Sequence, residues 1–420
     1  MNRRFGTNLL AFLFGGIALI VGLKGYTVAL LGSLLVLLAM GVAWLWNHFV
    51  FAKLTLERTL SQSHTYFGRP VTMQLAITNR KVLPLFGLKV RFSVSTGLSW
   101  TPAKAVEPSE AGYDIFQEVF HLNWYERRSR VYEINPTRRG RFRLEQGSLA
   151  YSDPFGFFSN RKHQVLAENQ LIVFPKIVPL GGISSLDTYL FGSRAGSGWI
   201  FVDPLNRVGT RPYASTDSAR MINWKATARH IETQVNVEKP SFDQEVCIVL
   251  DQPPHLPWWT ASVSNHLEIA IMTVASLVQS YSEAGYKVKL VTNLVSQTHG
   301  TSPLPNNSSR GRAQCRQQLT NLALLQSFSL EPIAQVLPRM FHQMGHKTAV
   351  VLVTTASGPL DSTLVKLARR LSQRSKVAII RVLEGAESLP REVGPADKRL
   401  AEWHIEGGVP WNDVDHLELS

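Results

Sequence analysis

Two long apolar runs open the chain, about Phe5–Leu23 and about Thr27–Ala52. Each is long enough to cross a bilayer as a helix. Only Lys24, Gly25 and Tyr26 separate them, so residues 1–52 are expected to form a transmembrane helical hairpin. The pattern then shortens. Val71–Thr78, Leu88–Val94, Val131–Ile134, Arg141–Leu144 and Leu171–Phe174 are brief runs in which apolar and polar positions mostly alternate, as in half-buried strands. Turn-forming clusters such as Gly68-Arg69-Pro70, Asn79-Arg80-Lys81 and Asn135-Pro136 divide them. Short strands with turns between them predict a β-sandwich over residues 53–180. From residue 244 strands alternate with helices. The strands are expected at Val246–Leu250, Tyr286–Thr292, Ala349–Thr354 and Val377–Val382. The helices are expected at His266–Ala284, Ala313–Leu325, Pro332–Met344 and Leu360–Ser372, with a polar loop at Ser302–Gly311. This order predicts an α/β domain over 244–385 with a parallel sheet and right-handed crossovers. Residues 386–420 read as a tail of loops with one candidate strand at Glu402–Ile405.

Charge orients the hairpin. Arg3 and Arg4 precede the first apolar run, Lys53 and Arg58 follow the second, and Lys24 alone occupies the loop. The positive-inside rule then puts both ends in the cytoplasm, and Trp44 and Trp46 fall where interfacial aromatics gather. A signal peptide is the competing reading of the first run. No small-x-small cleavage site precedes Lys24, and the second run would stop transfer even after cleavage. The net charge of +13 calls for an anionic neighbour, membrane lipid or nucleic acid. Arg127, Arg128, Arg130, Arg138, Arg139, Arg141 and Arg143 crowd the second half of the sandwich, and Phe142 and Leu144 alternate with the last two. A solvated strand face explains them; a surface turned to anionic lipid is the functional alternative. There is no zinc-finger spacing, aromatic RNA-binding strand motif or Lys/Arg-rich tail, so nucleic acid is not expected as a partner. The two cysteines, Cys247 and Cys315, make neither a disulfide framework nor a metal motif. Cys247 lies in an apolar run and is expected as a small buried hydrophobe.

The densest chemistry lies in the linking segment, residues 181–243, and just beyond it. Ser215, Thr216 and Asp217 are helix-start residues, and a helix is expected over Ser218–Ile231. Arg220, Trp224, Thr227 and Ile231 would share one of its faces. A strand over Gln234–Glu238 follows, then the apolar run ending at Asp251. One reading is a capped, charged surface helix with Trp224 as its core anchor. In the other, Arg211, Tyr213, Asp217, Arg220, Trp224, Lys225, Arg229 and Asp251 form an interaction surface. Lys225 and Arg229 repel at four-residue spacing unless a carboxylate lies between them, either an internal one such as Glu238 or one on a partner.

The string Arg211-x-Tyr213, then Asp217, Arg220, Ile222 and Trp224-Lys225-Ala226-Thr227-Ala228-Arg229 resembles the signature of the bacterial family called domain of unknown function 58. Tyr151-Ser152-Asp153-Pro154-Phe155-Gly156-Phe157-Phe158 extends the likeness, which covers roughly residues 50–385. Thr216, Ser218 and Asn223 depart from the usual Gly, Asp and Asp. The resemblance implies a β-sandwich followed by a von Willebrand factor A-like α/β domain, and a MoxR-type AAA+ ATPase as companion. Domains of that type often hold Mg²⁺ through Asp-x-Ser-x-Ser. Here the string is Asp251-Gln252-Pro253-Pro254-His255, so both hydroxyls are lost and no metal site is assigned. Thr354, Thr355 and Asp361 lie near other strand ends.

No phosphate loop, Gly-x-Ser-x-Gly elbow or His-Glu-x-x-His motif occurs, so no catalytic residue, cofactor or enzymatic activity is expected. The leading expectation is a non-enzymatic, membrane-anchored adaptor of the bacterial inner membrane that works with the ATPase. The alternatives are a cell-envelope or stress-related factor acting with a transglutaminase-like membrane protein, and a binder of nucleic acid or anionic lipid. A topology reporter fused after Ser420 is expected to be active only in the cytoplasm; periplasmic activity would reverse the orientation.

Overall fold

The computed structural model describes residues 15–17, 20, 23–24, 27–102, 106–108, 113–152, 158–164, 169–191, 201–214, 217, 219–229, 232–241, 245–254, 265–297, 311–329, 331–340, 348–356, 362–383 and 400–419. These fall into two compact units, residues 1–174 and 175–420.

The first unit begins with helix α1, Thr27–Phe49, of 23 residues. Its stretch Leu30–Phe49 is long and apolar enough to cross a membrane. Leu31, Leu34, Leu35 and Leu38, which share one face, each expose at least 60% of their surface, while Met40 and Ala43 on the other side are buried. The expected first span, Phe5–Leu23, lies largely outside the described residues.

A sandwich follows. Strands β1 (Leu54–Leu60), β3 (Val71–Asn79), β8 (Arg127–Pro136) and β5 (Leu98–Thr101) form one sheet in the order β1-β3-β8-β5. Strands β2 (His64–Tyr66), β11 (Asn169–Phe174), β9 (Gly140–Ser152), β4 (Leu85–Ser95), β7 (Tyr113–Leu122) and β6 (Val106–Pro108) form the other in that order, and β10 (Ser159–Gln164) pairs with β9. The alternation seen in the sequence explains the core. Val71, Met73, Leu75 and Ile77 of β3 meet Leu88, Val90, Phe92 and Val94 of β4 in one buried cluster. Phe142 and Leu144 join it, while Arg143 on the same strand is exposed. The stretch 153–157, expected as an interdomain joint, lies outside the described residues.

Two cations tie this unit together. Arg58 was expected as a flanking charge of the second span; instead it is buried in the sandwich at 5% exposure. Its guanidinium donates to the Leu144 carbonyl at 2.7 Å and the Glu145 carbonyl at 3.1 Å and lies over the Phe92 ring. Burial lowers its pKa to about 10. Lys81 closes the end of α1, donating to the carbonyls of Phe49 and Ala52 at 3.0 Å and to that of Val50. The last carbonyls of a helix have no partner within it, so a cation placed there both satisfies them and suits the helix dipole.

The second unit is built on a five-stranded parallel sheet in the order β16-β15-β19-β20-β21. These strands are β15 (Glu245–Asp251), β16 (Lys287–Thr292), β19 (Ala349–Thr354), β20 (Val377–Leu383) and β21 (Leu400–Glu406). The helix Asn265–Glu283 contacts four of them. Cys247, Val249, Val350, Leu352, Val377 and Ile379 pack with Ile333, Val336 and Leu337 of the helix Ile333–Met340 and with Leu364 and Ala368 of the helix Ser362–Ser372. A sheet covered by helices has strands that read as continuous apolar runs, and these do. Cys247 is fully buried, and desolvation pushes its thiol up to about 12. A helix Arg312–Ala323 and a two-stranded antiparallel sheet of β17 (Leu294–Ser296) and β18 (Leu325–Ser329), which flank that helix in sequence, complete this unit's connections. The expected loop at 302–311 lies almost wholly outside the described residues. Strand β21 carries the domain past the boundary expected at residue 385 and draws part of the supposed tail into the sheet. Farther on, β22 (Leu417–Glu418) pairs with β12 (Leu180–Gly181), beside the helix Ile183–Phe191.

Arg58→Leu should remove the donor from one buried and one half-buried carbonyl, costing about 1–3 kcal/mol. The expected readout is a lower melting temperature of the detergent-solubilised full chain. An unchanged melting temperature would remove the guanidinium from the sandwich's supports.

Candidate functional site

The signature residues do not form the long helix expected over Ser218–Ile231. They sit at the end of a two-stranded antiparallel ribbon of β13 (Phe201–Pro212) and β14 (Gln234–Ser241). Between the strands the described chain makes a 3-10 turn, Ala219–Met221, and a helix of only four residues, Trp224–Thr227. Asn223 is the reason the helix starts late. It adopts an extended conformation, its Oδ1 accepts from Ala226 N at 3.0 Å, and its Nδ2 donates to Asn236 Oδ1 at 2.7 Å. Its own N–H donates to the Gln234 carbonyl at 2.8 Å. Thr227 Oγ1 accepts from Gln234 N at 2.9 Å, and Ile222 bridges to Val235. The backbone on both sides of Trp224 is thus recruited to the ribbon, which a continuous helix forbids.

Arg211 and Asp217 form a two-pronged ion pair, each contact 2.6 Å, and Asp217 also accepts from Ala214 N at 2.9 Å. The Arg211 hydrogen bonds hold the Asp217 carboxyl below its ordinary value and raise the Arg211 guanidinium above its own. Tyr213 is 41% exposed and donates its N–H to the Thr233 carbonyl. Trp224 is not a core anchor: it is 72% exposed. Lys225 and Arg229 are both exposed, with no ion-pair partner among the described residues. Arg220 lies on the 3-10 turn, and its side chain falls outside the described residues, as does that of Glu238. Thr216 and Ser218 also lie outside them.

Asp251 belongs elsewhere. It is 5% exposed at the carboxyl end of β15, too buried to meet a partner directly. Its Oδ1 accepts from Asn293 Nδ2 at 3.2 Å and its Oδ2 from Thr354 Oγ1 at 2.9 Å. Asp251, Thr354, Arg381 and His404 stand in register on four adjacent strands, and the strand order reverses between the first two. Arg381 is 0% exposed; it meets Glu402 at 3.3 Å and the Ala356 carbonyl at 3.3 Å, and His404 Nε2 lies 3.2 Å from the same Glu402 oxygen. This polar seam was missed in the sequence. The available signal was Arg381, a charge inside the otherwise apolar run Val377–Leu383. Asp361 lies outside the described residues, and among those described no three His, Cys, Asp or Glu side chains gather as a metal site would require.

Fold and site together define a chain with an apolar N-terminal helix, a β-sandwich and a parallel α/β unit introduced by a two-stranded ribbon. Residues 209–402 match the family model described as protein of unknown function DUF58. No curated protein gives a sequence match. Solved structures resemble about a third of the chain. The CARDB domain of the PF1109 protein of Pyrococcus furiosus is 14% identical, covers 29% of this chain and 91% of its own, and has a TM-score of 0.20. A non-cellulosomal cohesin of Archaeoglobus fulgidus is 12% identical with the same coverage, 29% and 91%, and a TM-score of 0.20. The major pilin subunit BcpA of Bacillus cereus is 8% identical, covers 30% of this chain and 42% of its own, and has a TM-score of 0.22.

The Arg211–Asp217 pair gives the ribbon end a pH dependence. Because the folded carboxyl titrates below the unfolded one, its contribution is present above the ordinary carboxylate range and is lost as pH falls through the depressed value. Asp217→Asn should raise hydrogen exchange across residues 211–222 at neutral pH, and the wild type should show the same loss of protection only in acid. Equal protection in variant and wild type would mean the ion pair does not hold the turn.

Proposed function

We propose that this protein is a non-enzymatic adaptor, anchored in the bacterial inner membrane by two N-terminal spans with its folded units in the cytoplasm. On this reading the ribbon end is the docking surface for a MoxR-type AAA+ ATPase. One observation carries it: Trp224 is 72% exposed, on a short helix whose neighbours Lys225 and Arg229 are also exposed. Tryptophan, tyrosine and arginine are the side chains that most often anchor protein interfaces. Here Trp224 and Tyr213 offer apolar area, while Lys225 and Arg229 suit an acidic counter-surface. The Asn223 and Arg211–Asp217 hydrogen bonds pre-form the surface, so little ordering remains to be done on binding.

We read the α/β unit as von Willebrand factor A-like. Its first strand ends in an aspartate at the strand-order reversal, which supports the reading. The engagement of both Asp251 oxygens by Asn293 and Thr354 favours a structural use of that aspartate over a Mg²⁺ site.

Trp224→Ala is the test. An exposed side chain away from the core should change stability by no more than about 0.5 kcal/mol. The variant should therefore melt with the wild type yet lose capture of the purified MoxR-type ATPase from the same organism. Capture at wild-type level would remove the ribbon from the interface; a large fall in melting temperature would return Trp224 to a structural role.

A further inference from the structure

Four exposed apolar side chains of the sandwich stand on two turns: Val82 at 64% and Phe86 at 50% between and beside β3 and β4, and Trp124 at 66% and Tyr125 at 68% between β7 and β8. The turns are tied to each other. Asn79, fully buried, donates through Nδ2 to the Leu83 and Asn123 carbonyls, both at 2.8 Å, and through its N–H to Glu126. Tyr125 N donates to the Lys81 carbonyl at 3.1 Å.

The same turns are tied to the end of α1. Lys81 holds the carbonyls of Phe49, Val50 and Ala52, and Arg80 N donates to the Lys53 carbonyl at 3.0 Å. Val50 is itself 0% exposed in the sandwich core. The exposed aromatics are therefore fixed to the place where the membrane-crossing candidate helix stops. Tyr125 takes a positive φ of 49°, a strained conformation for a non-glycine residue that presents its ring at the turn. Around the aromatics the charge is positive. Lys53 and Arg80 are exposed, and Glu126 is neutralised by Arg128 at 2.5 Å.

Aromatic rings with polar edges, flanked by Lys and Arg, are what the headgroup layer of a bilayer selects. We propose that this rim, formed by Val82, Phe86, Trp124 and Tyr125 with Lys53 and Arg80, seats the sandwich in the lipid headgroup layer, so that the domain is held to the membrane by a surface as well as by its helix. The proposal rests on α1 crossing the membrane. Its ligand is the lipid interface itself: apolar side chains reach the glycerol level and the two cations meet phosphates.

The experiment uses the full chain in vesicles of phosphatidylglycerol and phosphatidylcholine. Cys315 is replaced by Ser, and Cys247 stays because it is fully buried. One new cysteine is introduced at a time, Leu38→Cys, Val82→Cys or Ser99→Cys, and each is labelled with a polarity-sensitive fluorophore. Ser99 pairs with Asn135, at the other end of β8 from the Trp124 turn. The expected result is quenching by doxyl-labelled lipid at positions 38 and 82, and by aqueous iodide at 99. If 38 is quenched by lipid while 82 responds to iodide as 99 does, the helix crosses the membrane but the rim stands clear of it, and the proposal is overturned. If 38 itself responds to iodide, the anchor reading fails and the rim proposal falls with it.

Discussion

In a sheet covered on both faces, each strand must become polar somewhere, and the place where it does fixes what the sheet can present. In the α/β unit that place is the register line through Asp251, Thr354, Arg381 and His404. Below it the strand positions facing the helices Ile333–Met340 and Ser362–Ser372 are apolar. Above it the side chains must satisfy one another, because an orphaned buried donor or acceptor costs about 1–3 kcal/mol. Asp251 cannot be read alone. Its carboxylate is an acceptor for Asn293 and Thr354, and Arg381 next in line needs Glu402 in the same way. The seam also fixes strand register: a slip of one residue would turn the polar set to the other face of the sheet.

Most of the architecture was legible in the residues because it follows from periodicity. The alternation in β3, β4 and β9 gave the sandwich, and the apolar runs ending at Asp251 and Thr354 gave the parallel sheet. The signature segment was misread for a physical reason. Its three- and four-residue spacings are those of a helix, yet Asn223 and Thr227 hydrogen-bond the ribbon strand that follows, and those tertiary bonds override the local period. Asn223 looked like a mere departure from a family pattern. An aspartate there could cap Ala226 but could not also donate to Asn236. Arg58 was misjudged similarly, since a charge just beyond an apolar run looks like an interfacial flank until the strand it occupies is placed. Strand β21 was visible only as a fragment, Glu402–Ile405, because its run mixes Glu402 and His404 with apolar residues and so lacks the continuous apolar pattern of its neighbours.

The ribbon and the seam divide the work differently. The seam is buried and its side chains mostly pair with one another, with Glu402 Oε2 left without a hydrogen bond, so its chemistry is spent largely on holding strands. The ribbon has its polar groups tied down internally and leaves its large side chains outside. Rigid backbone with exposed Trp224, Tyr213, Lys225 and Arg229 is an arrangement suited to recognition, whereas the same residues on a long amphipathic helix would have been consumed by packing.

The pairing of β12 with β22 has a bearing on synthesis. Leu417 donates to the Pro179 carbonyl and Leu419 to that of Gly181, and Lys176 reaches the Asn412 carbonyl across 236 positions of chain. Such contacts form only after their later partner has emerged from the ribosome. At about 5–20 residues per second, the segment around Pro179 waits roughly tens of seconds for it. The α/β unit must spend that interval without this closure.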